Sequence, residues 1–339
     1  MDMGNALKLR TGRRLALSLA AGLIAATLGG RAVLAQSMEH VTLRLDWLPG
    51  ADHTSIYLAK ERGYYAKAGI DLEIHNGTGS VGTIQSVGSG GDMIGLASLS
   101  QVALAIGKDV PLIAIAGIVQ KAPDSIVALK GSGIVKPKDI EGKRWGFVPT
   151  DSGARIFPAF AAANGIDMNK ITKIQLSYST IYSSLLNGDV DFITAWASPD
   201  AFKIAAKKPI EPPIVFADYG VNTLGTGIFV TRDTFAKHKE MLRKFIAATV
   251  HGAVEAQKNP TEAIDAVMKA APGSDRAILV QEFNHLPEYL HTKNSKGHMF
   301  GWMAPADWEQ TITLLRKYFS LPESVKPADV YTDALFPKS

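Results

Sequence analysis

Apolar and polar positions alternate from Val41 to Asp46, the period-two pattern of a half-buried strand, and Pro49-Gly50 ends it. Thr54 to Arg62 follows with helical spacing and stops at Gly63. Gly69-Ile70 leads into a second strand over Asp71 to Ile74. A short helix, the turn Gly90-Gly91-Asp92 and a buried strand at Met93 to Ala97 come next. Ser98 and Ser100 are candidate N-caps for a helix over Val102 to Ile106. Leu112 to Val119 is almost continuously apolar, the pattern expected of a central parallel strand covered on both faces.

The same order then recurs. Arg144 to Val148 reads as a strand, Thr150 to Gly153 as a polar turn, and Ala154 to Ala163 as a helix stopped by Asn164-Gly165. Ala68-Gly69-Ile70-Asp71 is echoed 96 residues on by Asn164-Gly165-Ile166-Asp167, and Gly91-Asp92 is echoed 97 residues on by Gly188-Asp189. Both of the latter pairs precede an apolar run that reaches Ala-Ser, at Ala97-Ser98 and Ala197-Ser198. Offsets this constant predict two α/β lobes of similar plan.

Leu224 to Thr231 reads as a further strand. The rest is helical, over Lys239 to Lys258, Pro260 to Ala271, Arg276 to Phe283 and Ala306 to Phe319, with Pro260 and Pro305 where a first turn tolerates proline. The chain is expected to start in one lobe, cross near Lys121 to Ala128, and return near Asn222 to Gly227. Lobe one then comprises residues 36–124 and 225–339, and lobe two residues 125–224. Two crossings make a hinge, and the carboxyl ends of strands from both lobes would line one cleft.

Composition and charge refine this picture. Hydrophobic residues make up 46% of the 339 and charged residues 20%, the balance of a folded protein. The absence of cysteine excludes disulfides, iron–sulfur clusters, thiolate zinc sites and a cysteine nucleophile. A net charge of +4 and a pI near 9.0 invite a nucleic-acid reading. The charge is not evenly spread. The first 35 residues carry five basic groups (Lys8, Arg10, Arg13, Arg14, Arg31) and one acid, Asp2. Taking these from the totals of 36 and 32 leaves 31 basic and 31 acidic groups, a body of zero net charge. Those 35 residues combine a basic start, an apolar run from Leu15 to Leu28 and small residues at Val33-Leu34-Ala35, which together predict a secretory signal. Arg13-Arg14 opens the alternative of twin-arginine export. No nucleic-acid partner is expected.

The candidate chemistry is that of binding. Gly77-x-Gly79-x-x-Gly82 matches the dinucleotide fingerprint, but the following strand ends in Ala97-Ser98 without the acid that would hold a ribose, so a turn is expected. None of the eight histidines pairs at i, i+4. His285, His291 and His298 could gather in a loop but lack a carboxylate partner, so no metal site is expected. Trp47 and Trp196 close strands at what the repeat makes equivalent places, and read either as core residues or as a stacking clamp for a flat molecule. Asp52 and His53 are read as a helix cap or a ligand contact, and are the only candidate catalytic pair. Ser98 to Gln101 and Thr150 to Ala154 each join a strand to a helix, where free N–H groups bind acceptor oxygens.

Leu45-Asp46-Trp47-Leu48-Pro49-x-x-Asp52-His53, Lys60-Glu61-x-Gly63-Tyr64-Tyr65, Ala68-Gly69-Ile70-Asp71-Leu72 and Tyr219-Gly220-x-Asn222-Thr223-Leu224-Gly225 resemble the periplasmic substrate-binding proteins of ABC importers. The branch they resemble binds thiamine-pyrimidine precursors and is related to the nitrate, sulfonate and taurine binders. The resemblance implies a type II two-lobe α/β fold. Each lobe would hold a mixed, mostly parallel sheet flanked by helices, with a hinge between. It also implies a monomer without cofactor that closes on a small solute in the periplasm and delivers it to permease subunits. A eukaryotic relative is an enzyme that makes the pyrimidine from its own histidine and a pyridoxal cofactor. Its lysine and histidine fall at Ala97 and Gln101, and its cysteine-rich stretch falls near Asn222 to Phe229, where there is none. Pyrimidine binders usually place a carboxylate near position 196, where this chain has Trp196. A small organic anion therefore stays open as an alternative ligand. The candidate binding set is Asp46, Trp47, His53, Ser98, Gln101, Asp151, Ser152, Gly153, Ala154, Trp196 and Asn222.

Overall fold

A computed structural model describes residues 38–336, so the segment read as an export signal lies outside the described residues. Among the described residues ten strands form two five-stranded sheets. The first holds β1 (Glu39–Arg44), β2 (Ile70–His75), β3 (Ile94–Ser98), β4 (Leu112–Lys121) and, from much later in the chain, β10 (Leu224–Thr231), in the order β2-β1-β3-β10-β4. The second holds β5 (Asp124–Ala128), β6 (Arg144–Phe147), β7 (Thr172–Gln175), β8 (Phe192–Trp196) and β9 (Ile214–Val215), in the order β7-β6-β8-β5-β9.

The two orders are one plan used twice. In each sheet three strands run parallel, and a strand arriving from the other sheet pairs antiparallel beside them: β10 against β3, and β5 against β8. Gly69 and Gly165, at the echoed quartets, both sit in the left-handed region (φ 81° and 65°), which a residue without a side chain enters most easily after a helix. The repeated sequence thus marks a repeated helix end.

Three expectations change. β4 is neither central nor parallel: it is the outer strand and runs antiparallel to β10. Its apolar run reflects cover on both faces. Ile113, Ile115 and Val119 join one core cluster, while Ala114 joins another. The segment at Tyr331 and Thr332 shields its open edge, with Thr332 N–H donating to the Ala114 carbonyl (3.0 Å). Asp124 to Ala128, read within a connection, is the buried strand β5. Finally, Trp47 and Trp196 are not counterparts. Leu43 pairs with Ile94 and Trp145 with Phe192, so the register makes Trp196 the counterpart of Ser98, while Trp47 follows β1.

Helices flank both sheets. Thr54–Glu61 and Lys239–Lys258 pack together over β1 and its neighbours through Ile56, Leu58, Leu242, Phe245 and Ile246, all at most 2% exposed. Phe157, Phe160 and Phe216 stack beneath the second sheet. Each such side chain contributes roughly 1.5–3 kcal/mol on burial, so these cores hold the scaffold and leave the loops beyond the strand ends to polar residues. Among the described residues no helix is long and apolar enough to cross a membrane.

Candidate functional site

The segments beyond the carboxyl ends of β1, β6 and β8 converge on a cavity of about 60 Å³. Asp46, Trp47, Leu48, Gly50, Asp52 and His53 line it from the segment after β1. Gly79 and Ser80 line it from the start of the helix Ser80–Gly88. Asp151 and Ser152 come from the start of the helix Ser152–Ala163, and Tyr178 and Tyr182 from the loop and helix after β7. Trp196, Pro199, Asp200 and Lys203 complete it.

The wall after β1 is a closed network. A single 3-10 turn, Ala51–His53, brings His53 back toward the strand end. Gly50 N–H donates to His53 Nδ1 (3.1 Å), so the ring carries its hydrogen on Nε2, which donates to Asp46 Oδ1 (3.1 Å). Asp52 Oδ1 lies 3.4 Å from Nδ1. Burial works against an imidazolium, but the charge of Asp52 and the hydrogen bond to Asp46 outweigh it, and the His53 pKa rises. Burial also raises the Asp52 pKa, with the His53 charge opposing and the Asp46 charge adding. The outcome is an imidazole that holds a second proton more readily than a free histidine, beside a carboxyl that keeps its proton more readily than an ordinary aspartate. Asp46, Asp52 and His53 are the one grouping among the described residues whose donor atoms, within 4.8 Å of one another, could hold a metal ion. Both ring nitrogens are already engaged, so the grouping is a hydrogen-bonded chain with no imidazole lone pair to offer.

The opposite wall is built from acids without a counter-charge. Asp151 caps its helix by accepting from Ala154 N–H (3.2 Å), and Ser152 donates to Asp124 Oδ1 (3.0 Å). Asp124 stands across the β5–β8 ladder from Trp196. Burial, then the charge of Asp124, pushes Asp151 up to about 8. Burial pushes Asp124 up to about 6, against hydrogen bonds from Ser152 and Trp196. No Lys, Arg or His pairs with either acid among the described residues. Asp200 is held by Trp196 N–H (3.0 Å) and the Tyr182 hydroxyl (2.6 Å).

Aromatic rings close the cavity. Trp47, from the β1 side, meets Tyr178, from the β7 side, with ring centroids 3.8 Å apart. The glycine-rich turn serves this approach. Gly77 N–H donates to Trp47 O (3.0 Å) and Gly79 N–H to Asp46 O (2.9 Å), pinning the strand end. Gly79 has φ 102°, and a Cβ there would lie 2.7 Å from the Tyr178 hydroxyl. The turn that imitates a dinucleotide fingerprint is a clasp for the β1 end.

Of the residues singled out in the sequence, Asp46, Trp47, His53, Asp151, Ser152 and Trp196 line the cavity together. Ser98 sits one layer back: its N–H donates to Ser80 Oγ (3.0 Å) and its hydroxyl pairs with Ser100, so Ser80 faces the cavity instead. Gln101 is 4% exposed and apart from the lining. Gly153 and Ala154 lie behind Asp151, and the Ala154 N–H is donated to that side chain rather than to the cavity. Asn222 stands elsewhere, its carbonyl accepting from Gln310. Asp52 does not cap the helix Thr54–Glu61; it sits in the preceding 3-10 turn and faces the cavity. His285 pairs with Glu288, and His298 stacks on Trp302, so the late histidines form no donor set. Tyr178, Tyr182, Asp200 and Lys203 were missed, because each follows a strand of the second sheet without a local motif.

Residues 50–263 match the family described as NMT1/THI5 like. The chain is 23% identical over 303 residues to the formylaminopyrimidine-binding protein of Halalkalibacterium halodurans, covering 88% of this chain and 91% of that protein. It is 25% identical over 237 residues to the 4-amino-5-hydroxymethyl-2-methylpyrimidine phosphate synthase of Legionella pneumophila, covering 69% and 74%. The solved structure of the periplasmic nitrate-binding protein NrtA of Synechocystis PCC 6803 superimposes with a TM-score of 0.68 at 12% identity, covering 88% of this chain and 87% of that one. The shared architecture is the α/β fold of the periplasmic binding proteins.

Proposed function

The chain belongs to the NMT1/THI5-like family, and from that premise we propose that it is a solute-binding protein whose cleft takes an aminopyrimidine or a similar nitrogen heteroaromatic. The observation that carries this reading is the pair Asp151 and Asp124, buried without a counter-charge beside a cavity walled by Trp47, Tyr178, Tyr182 and Trp196. Unpaired buried carboxyls are costly, and a ring bearing N–H donors, or a protonated ring nitrogen, supplies what they lack. The aromatic walls suit a flat ring body. The carboxylate that related binders place near position 196 is here replaced in role by Asp151.

The same charges weigh against nitrate or a sulfonate. Lys203 is the one Lys or Arg among the lining residues, against Asp46, Asp52, Asp151 and Asp200. An enzyme reading needs a base or nucleophile free to react, and His53 has both nitrogens engaged. Ala97, fully buried among apolar neighbours, and Gln101 stand where the self-consuming relative has its lysine and histidine. The mechanism is a population shift: a ring held between Trp47 and the second-sheet wall favours the closed arrangement of the two lobes (residues 36–124 with 225–339, and 125–224). The closed form would be presented in the periplasm, after export by residues 1–35, to the permease of an ABC importer.

Calorimetric titration with 4-amino-5-hydroxymethyl-2-methylpyrimidine, nitrate and ethanesulfonate tests the reading. Binding of the pyrimidine alone, recovered unchanged by mass spectrometry after long incubation, is expected. Binding of either anion without the pyrimidine would overturn the ligand class, and a chemically altered pyrimidine would overturn the binding-only role.

A further inference from the structure

Behind the main cavity lies a second, smaller chamber of about 10 Å³, the volume of one water molecule's centre. Asp52, Trp196 and Pro199 form walls common to both spaces. Val119, Tyr289 and Glu282 are among the residues that line the smaller chamber alone. Glu282 is carried by the helix Arg276–His285 and is 2% exposed, so it is as buried as a core leucine. One of its oxygens, Oε2, lies 3.5 Å from the Ala51 N–H, at the outer limit of a hydrogen bond. The other, Oε1, has no hydrogen-bond partner among the described residues. Lys203 Nζ forms an ion pair with this same Oε1 at 3.7 Å, beyond hydrogen-bond distance, and itself faces the main cavity.

Oε1 thus has an ion-pair partner but no hydrogen bond, and native structures seldom leave a buried carboxylate oxygen without one, so the atom points to an occupant. The chamber is too small for a ring and its wall is shared with the ring's cavity. It suits the tip of a short substituent. We propose that Glu282 forms a subsite that reads an N–H donor, an amine or amide nitrogen, on a short arm of the solute whose ring occupies the main cavity. This assignment rests on the heteroaromatic reading above. The arm would pass between Asp52 and Trp196 and donate to Glu282 Oε1, so the subsite selects among rings by what they carry one or two bonds out. Burial, opposed by Lys203 and reinforced by Asp52, holds Glu282 at about 7, so it is ionised at pH 8.

Two probes separate the arm from the ring: 4-amino-5-aminomethyl-2-methylpyrimidine and 4-amino-2,5-dimethylpyrimidine, which lacks the donor. Calorimetric titration at pH 8 should show the protein preferring the aminomethyl probe by at least about tenfold, the scale of one charge-assisted hydrogen bond. That preference should collapse in Glu282→Gln. Val119→Ile, which adds one methyl group to a chamber lining residue and keeps the strand's preferred side-chain type, should also reduce it, which guards against misfolding of the first variant. Equal affinity of the two probes for the unaltered protein, or an unchanged preference in both variants, would overturn the subsite alone. Failure of both probes to bind the unaltered protein would overturn the heteroaromatic reading, and the subsite with it.

Discussion

The two walls of the cleft are built from the same materials to opposite effect. Each sets two acids beside a helix start. After β1, Asp46 and Asp52 flank His53, and the backbone N–H of Gly50 completes the chain of bonds. On the second wall Asp151, after β6, accepts from a backbone N–H and Asp124, opening β5, accepts from the Ser152 hydroxyl, with no cation paired to either among the described residues. The first wall answers its own charge and works as scaffold. The second has no cation of its own, so its carboxyls keep their protons to higher pH until something else answers them. A binding cleft is thus legible from where compensation is missing rather than from where polar groups are dense.

The contrast can be broken at its strongest point first. His53→Ala strips both acids of the first wall of their partner, and denaturant unfolding should show a loss of about 3 kcal/mol. A loss below about 1 kcal/mol would mean that the first wall is not a closed network. Asp151→Asn should behave in the opposite manner. An amide still caps the helix, so stability should change by less than about 1 kcal/mol, while affinity for the hydroxymethylpyrimidine should fall at least about tenfold. Should stability fall and affinity hold, the roles of the two walls would be reversed.

A smaller effect comes from pH. Asp151 has its folded pKa near 8, above the ordinary 3.8, so ionising it penalises the folded state. That penalty is absent below about pH 4 and grows until the pH passes 8. Asp124, near 6, and Glu282, near 7, act in the same direction. His53, raised above 6.5, contributes stability that is present at lower pH and lost as pH rises through its folded value. The ligand-free protein should therefore melt several degrees higher at pH 5.5 than at pH 8.5 by scanning calorimetry, and Asp151→Asn should flatten that slope.

Much of this architecture was readable from the chain. The alternation over Val41 to Asp46 and the echoed Asn164-Gly165-Ile166-Asp167 report local physics, namely one-sided burial and a helix end, so they survive translation into sequence. β4 was misread because an apolar run from Leu112 to Val119 records burial on two faces and says nothing of strand direction. β5 was missed because Asp124 and Ser125 open it with polar residues whose burial depends on the neighbouring β8. In the site, Asp46-Trp47, Asp52-His53 and Asp151-Ser152 stood out because they directly follow strand patterns. Tyr178, Tyr182 and Lys203 did not, since only the folding of the second sheet turns them inward. Glu282 lies 231 positions from Ala51, and no local pattern could link it to that turn.

The account turns on the claim that the second wall reads N–H donors, and one titration addresses it directly. 4-Amino-5-hydroxymethyl-2-methylpyrimidine is compared with its 4-oxo analogue, which replaces the donor amine by an acceptor, in the unaltered protein and in Asp151→Asn. The account predicts at least about a tenfold preference for the amine in the unaltered protein, lost or inverted in the variant, whose amide offers a donor of its own. Equal binding of the two compounds, or a preference for the oxo form by the unaltered protein, would contradict it.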